Sequence, residues 1–194
     1  RMIGERRAGG ETSHDLLGML LEAKDEETGK GMSDAQLRDE VMTMFLAGHE
    51  TTSNALVWTW HLLSRNPDVQ RKLYKEVSAV LGTGPLTLDR LPELKYTRCV
   101  LMEAMRIYPP VWGFARMTVE DDVIGGYPIP KDSAVFMSQW VTQRMAEFWP
   151  NPEGFDPSRW EDDPLSKLPK FSYFPFGGGA RQCIGNNFAM MEAT

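Results

Sequence analysis

The sequence predicts a mainly α fold with a minor β region, and three of its features carry that expectation. From Ser33 nothing breaks a helical pattern until Asn66-Pro67, a run on the order of 50 Å at 1.5 Å per residue. A second helical pattern runs from about Pro92 to Tyr108 and stops at Pro109-Pro110, because proline lacks the N–H a helix interior needs. Beyond it the apolar period changes, and VWGFARMTV and AVFMSQW read as short strands.

Each element follows from local chemistry. Ser13 is placed to cap a first helix reaching about Lys24, with LLGMLLEA as its apolar side, and the polar loop DEETGKG ends it. Ser33 caps the long helix, and Gln36 stands where a capping box needs it. Apolar on much of its circumference, that helix has to cross the middle of a large domain, and this chain holds too few other helices to bury it. Pro67 suits the first turn of the next helix, DVQRKLYKEVSAVL, which Gly82 closes. The two strands are joined through IGGYPIPKDS, a turn-rich stretch. From Gln143 to Pro175 the chain reads mostly as loop, heavy in Pro, Asp and Trp, and loops that long in compact domains have functional reasons. A last helical pattern begins near Ile184.

Arg1 opens without a leader and Thr194 falls inside a helical pattern, so the expectation is a single partial domain over residues 1–194, truncated at both ends. The net charge of −6 argues against a nucleic-acid partner, which needs a basic face. Cys99 and Cys183 make no disulfide framework, which points to a reducing, cytoplasmic compartment. A membrane anchor ahead of Arg1 stays open. Within the chain, the most apolar stretch, VMTMFLAG, meets His49 and Glu50 within one turn, short of the roughly 20 apolar residues a span requires.

The stretch FGGGARQCIG, Phe176 to Gly185, concentrates the chemistry. A phosphate loop would need GxxxxGK[ST] and a dinucleotide fingerprint would need glycine at Gln182; neither is present. Zinc would need a CxxC pair, and Cys99 is remote. One reading is a glycine turn before a helix, with Cys183 as a small buried apolar residue. The other is a metal ligand, because Cys183 at the first turn of a helix sits where unpaired N–H groups and the dipole favour a thiolate. Gly178, Gly179 and Gly185 would let the backbone crowd a flat ligand, and Arg181 can reach a carboxylate at its edge.

The middle of the long helix reads AGHETT, Ala47 to Thr52, a composition locally unfavourable on helix propensity. The Thr51 hydroxyl can compete for the Ala47 carbonyl and open the turn, making room for a small molecule and a water. Ala47 and Gly48 have no bulk, so a planar cofactor can lie against that face. In EAMR, Glu103 and Arg106 share one helix face, as in any ordinary i,i+3 pair.

FGGGARQCIG fits F-x-x-G-x-R-x-C-x-G at every fixed position and resembles the heme-binding loop of the cytochrome P-450 superfamily. AGHETT resembles that family's [AG]-G-x-[DE]-T segment and EAMR its ExxR motif, while FDPSRW supplies Arg159 where the family commonly has Pro-Glu-Arg-Phe. The motifs stand in the family's order. The resemblance implies the carboxy-terminal half of that fold and heme b, with Cys183 as the axial thiolate. It also implies Arg181 and Arg116 on the two propionates, Phe176 as a wall near the sulfur, and Gly179 and Gly185 in the binding loop. Ala47 and Gly48 would lie over the oxygen side of the heme, where Thr51 would hydrogen-bond dioxygen and Glu50 would relay protons. Glu103, Arg106 and Arg159 would form a structural lock. Pro109, Pro110 and Val111 to Phe114 would enter the substrate pocket, and His49 would line it. His14, His61 and Cys99 read as surface or packing residues.

By the same resemblance the protein inserts one atom of O2 into a small hydrophobic organic substrate. Electrons would come from a ferredoxin, a flavodoxin or a reductase domain, with Lys167, Lys170 and Arg98 as candidate contacts. Two alternatives stay open: a peroxide-using or isomerising heme-thiolate enzyme, and an inactive or non-catalytic heme-binding fragment. Residues 1–194 alone are expected to hold heme poorly and to be inactive.

Overall fold

The structure is a computed structural model that describes residues 2–9, 15–82 and 84–194. It divides into two compact units, Arg1–Glu50 and Thr51–Thr194.

The first unit opens with α1 (Met2–Gly9) and α2 (Leu16–Glu22), followed by a bridge between Lys24 and Gly31. Sequence reading places a helix from Ser13 to Lys24; Ser13 and His14 lie outside the described residues, and the cap is Asp15. The Asp15 carboxylate accepts from Gly18 N at 2.8 Å and takes both terminal nitrogens of Arg6, at 3.1 and 2.9 Å. α1 itself escapes sequence reading because it buries no residue and so shows no apolar stripe. α3 (Asp34–Arg65) starts where Ser33 Oγ accepts from Gln36 N at 3.2 Å, and its first turns bury Leu37 completely.

In the second unit α3 ends at Arg65, and α4 (Pro67–Leu81) begins with proline at its first position. Gly82 closes α4 at φ 56°, its N–H on the Ser78 carbonyl. α5 (Lys95–Ile107) starts three residues later than the sequence suggests, because Pro92 belongs to a preceding 3₁₀ turn, Leu88–Glu93. Glu76 of α4 caps α5 from outside: its carboxylate accepts from Tyr96 N (2.6 Å), Thr97 N (2.8 Å) and Thr97 Oγ1 (2.8 Å). That satisfies N–H groups a helix start leaves without intrahelical partners. α5 is the buried axis of this unit. Tyr96, Cys99 and Val100 pack with Leu63, Trp149 and Trp160, and Ala104 and Ile107 pack with Leu62. Burial pushes the Cys99 thiol up.

β1 (Phe114–Met117) pairs antiparallel with β4 (Ala134–Met137), Phe114 opposite Met137 and Met117 opposite Ala134. The stretch read as a turn between them folds as a second hairpin, β2 (Asp122–Ile124) and β3 (Tyr127–Ile129). Gly125 and Gly126, at φ 60° and 87°, supply the two positive φ angles such a tight turn requires. Three-residue strands are too short to show alternation, and Pro128 is tolerated because each strand of a two-stranded ribbon is an edge. α6 (Gln139–Thr142) follows β4, then a long irregular stretch with 3₁₀ turns at Pro157–Trp160 and Pro164–Ser166. A third 3₁₀ turn, Gly179–Arg181, precedes α7 (Asn186–Ala193). Among the described residues no helix is long and apolar enough to cross a membrane.

Candidate active site

α5 carries Glu103 and Arg106 side by side, both at 0% exposure. Arg106 Nε and Nη2 reach the two Glu103 oxygens at 2.9 Å each. Its remaining N–H groups go to backbone: Nη1 donates to the carbonyls of Gln143 (2.9 Å) and Pro152 (2.7 Å), and Nη2 to Gly154 (3.1 Å). Arg159 Nε donates to Glu103 Oε1 at 2.9 Å, and its terminal nitrogens reach the Pro150 and Asn151 carbonyls at 3.1 and 3.4 Å. The i,i+3 pair is therefore no surface pair. It anchors the irregular stretch after α6, which has no ladder of its own, by that stretch's carbonyl oxygens.

Two donors to Glu103 were not legible beforehand. Trp160 Nε1 reaches Oε2 at 2.8 Å and Asp156 N reaches Oε1 at 3.1 Å. An indole at that position was a visible departure from the family's commoner phenylalanine, and a buried indole N–H needs an acceptor. Trp160 also packs against Tyr173 (ring centroids 4.6 Å apart), and the Tyr173 hydroxyl donates to the Met102 carbonyl at 3.1 Å. Burial raises the Tyr173 phenol, so it remains a neutral donor.

Tyr173 leads into the cysteine loop. Gly177 N donates to the Phe174 carbonyl at 2.9 Å, and Cys183 N donates to the Phe176 carbonyl at 2.9 Å, closing the loop on itself. The three consecutive glycines have local causes. Gly177 and Gly179 both sit at φ 70°, and a Cβ on Gly178 would strike the Phe171 ring. A Cβ on Gly185 would lie 3.9 Å from Cys183 Sγ, an ordinary contact. Cys183 is exposed, and so is Ile184 beside it at 90%. Sequence reading set Cys183 in the first turn of a helix; α7 begins only at Asn186, capped by Gly185, so the cysteine precedes the cap by two residues. The dipole effect, confined to the first turn, is correspondingly weaker.

Arg181 and Arg116 are both exposed. Arg116 Nη1 donates to the Ala115 carbonyl at 2.9 Å, and its guanidinium lies 4.7 Å over the Phe114 ring. Among the described residues neither arginine has a carboxylate partner. Pro109 is buried, whereas Val111 and Trp112 are exposed and Phe114 is half-buried. Arg98, Lys167 and Lys170 are exposed.

α3 runs as unbroken α-helix through Ala47–Thr52. In the first unit, Ala47 and Glu50 are exposed, Gly48 is half-buried, and His49 stacks on Phe45 with centroids 5.6 Å apart. In the second unit, Thr51 is half-buried and Thr52 is 8% exposed, with its Oγ1 lacking a hydrogen-bond partner among the described residues. The hydroxyl that sequence reading passed over is thus the orphaned one. His61 is exposed and packs edge-on against Trp58.

A family model described as "Cytochrome P450" matches residues 3–194. "Cyclooctatin synthase" of Streptomyces melanosporofaciens is 44% identical over 195 residues, which covers 100% of this chain and 42% of that protein. "Cyclooctat-9-en-7-ol 5-monooxygenase" of the same organism is 38% identical over 193 residues, again 100% of this chain and 42% of that one. A solved structure, "Crystal structure of cytochrome P450DA heme domain", superposes with a TM-score of 0.93 at 40% identity, over 98% of this chain and 42% of the other. The chain thus spans about two-fifths of the length of these relatives. With its mainly α fold, its minor β region and a family match that runs almost end to end, the chain belongs to the cytochrome P-450 family.

Proposed function

We propose that the chain is the thiolate-bearing part of a single heme domain, in a monooxygenase that inserts one oxygen atom of O2 into a small hydrophobic organic substrate. The observation that carries this reading is the cysteine loop, where the bond from Cys183 N to the Phe176 carbonyl holds an exposed thiol on a short, glycine-shaped turn. The donor set suits heme b. Of the two cysteines only Cys183 is exposed and free to offer a thiolate to the iron, and Arg181 and Arg116 are exposed guanidiniums without carboxylate partners among the described residues. The similarity to a 5-monooxygenase supports the reaction class.

When bound, heme supplies the one-electron and O2 chemistry that no side chain provides, and a thiolate ligand favours O–O cleavage. The residues of this chain bind, orient and move protons. Cys183 Sγ ligates, Arg181 and Arg116 hold the two propionates, and Phe176, Gly179 and Gly185 shape the loop around the sulfur. Ala47 and Gly48, by the family resemblance, would leave room along α3 for a planar group. The Thr51 hydroxyl orients the oxygen substrate, and the Glu50 carboxylate passes protons toward it. Glu103, Arg106 and Arg159 hold the loop still. Electrons come from a ferredoxin, a flavodoxin or a reductase domain, and the two free cysteines support a reducing, cytoplasmic setting.

The test is the absorption spectrum of the reduced, carbon monoxide-bound full-length protein. A thiolate-type Soret band, absent from Cys183→Ser, is expected; an imidazole-type band in the unaltered protein overturns the assignment. Turnover on peroxide without a reductase, unaffected by Thr51→Ala, would instead favour the peroxide-using alternative.

A further inference from the structure

Gln143 is the residue at the C-terminal cap of α6, and it is fully buried. Its amide nitrogen donates to the Met105 and Arg106 carbonyls at 3.0 and 3.2 Å. Both belong to the last turn of α5, where carbonyls have no intrahelical partner. Its amide oxygen accepts from Phe174 N at 3.0 Å, and its backbone carbonyl accepts from Arg106 Nη1 at 2.9 Å. Phe174 begins the cysteine loop: its carbonyl takes Gly177 N, and two residues on the Phe176 carbonyl takes Cys183 N. One side chain therefore joins the C-terminal end of the buried helix to the peptide from which the thiolate turn is built. The tie is distinct from the Glu103 lock, which grips backbone between Gln143 and Asp156 and leaves Phe174 alone.

We propose that Gln143 is a positioning residue for Cys183: its side chain sets where the sulfur stands, by fixing Phe174 N against the end of α5. The proposal rests on Cys183 being the iron ligand. Only a side chain with a donor and an acceptor about one amide apart serves both sides at once. Leucine fills the space but leaves two carbonyls and an N–H buried and unsatisfied. Glutamate keeps the shape and loses the donor. A neutral imidazole presents one N–H and one bare nitrogen, and so keeps a bond on each side.

The experiment uses full-length holoprotein with Gln143→Leu, Gln143→Glu and Gln143→His. It measures the thiolate-type share of the reduced, carbon monoxide-bound Soret absorption, heme content per chain and the thermal midpoint. Gln143→Leu is expected to lower the thiolate-type share about fivefold, the population change that one lost hydrogen bond produces. Heme content should change far less, and Gln143→His should restore most of the share. If Gln143→Leu does not yield folded holoprotein, Gln143→Glu reads the same quantity and is expected to show the same loss. An unchanged share in Gln143→Leu overturns the proposal, as does a Gln143→His variant that loses as much as leucine. Absence of a thiolate-type band from the unaltered protein removes the iron-ligand assignment instead, which keeps the two failures apart.

Discussion

At Glu103 one carboxylate receives Arg106, Arg159, the Trp160 indole and the Asp156 backbone N–H, with no exposure to water. Coulomb attraction alone would not repay burying these charges; the hydrogen bonds that saturate both oxygens and the whole Arg106 guanidinium do. Glu103→Gln removes the charge that two guanidiniums face. It should cost about 3–5 kcal/mol, the usual result of breaking a buried pair, read as a lower urea midpoint of the holoprotein. Trp160→Phe keeps the ring and deletes one N–H donor to a charged acceptor, so a smaller loss of about 1.5–3 kcal/mol is expected in the same measurement. At Cys99 burial holds the thiol above its usual range. The unfolded chain therefore gives up that proton first as pH rises, and the residue's contribution, intact below about pH 8.5, declines above it. Cys99→Ala should flatten the alkaline fall in unfolding free energy; an unchanged slope from about pH 8 to about pH 10, around the ordinary thiol value, counts against it.

Among the elements, the cysteine loop shows how a motif can be read correctly as a pattern and incompletely as physics. Gly178, Gly179 and Gly185 suggest room for a flat ligand, yet Gly179, like Gly177 before it, sits at φ 70° and Gly178 is required by the Phe171 ring. Gly177→Ala should cost about 1–2 kcal/mol, the penalty of a left-handed conformation for an L-residue, and should broaden the Soret band. Gly178→Ala should do comparable damage that Phe171→Leu relieves, because the obstacle is that ring and not the backbone. An additive double variant would show the contact to be irrelevant. Elsewhere legibility followed length. α3, α4 and α5 were readable from caps, prolines and period, whereas α1 and the β2–β3 hairpin were not, since neither has a buried face long enough to print a pattern.

For the molecule as a whole, apolar surface is the main fact. In the second unit Val57, Trp58 and Trp60 of α3 are exposed at 63, 39 and 64%, and in the first Phe45 and Leu46 stand out at 61 and 60%. Large apolar side chains left exposed in such number are what surfaces that bind other protein or ligand present. The relatives are more than twice as long as this chain, and the remainder of such a domain is the proposed cover. Hemin titrated into residues 1–194 alone should therefore bind weakly and without a defined thiolate spectrum. Tight, stoichiometric ligation by the isolated chain would refute that expectation.

By itself the sequence determined the family, the order of the motifs, the long helices and the identity of the single sulfur offered on the loop, because caps, prolines and fixed spacings act between near neighbours. The tertiary structure decided what those residues face. It placed Glu103 beyond the reach of water, gave Trp160 and Gln143 their hydrogen bonds, left Thr52 Oγ1 without a partner among the described residues, and set Cys183 ahead of the helix rather than within it. Burial and long-range hydrogen bonding join positions dozens of residues apart, and no local spacing records which of them will meet.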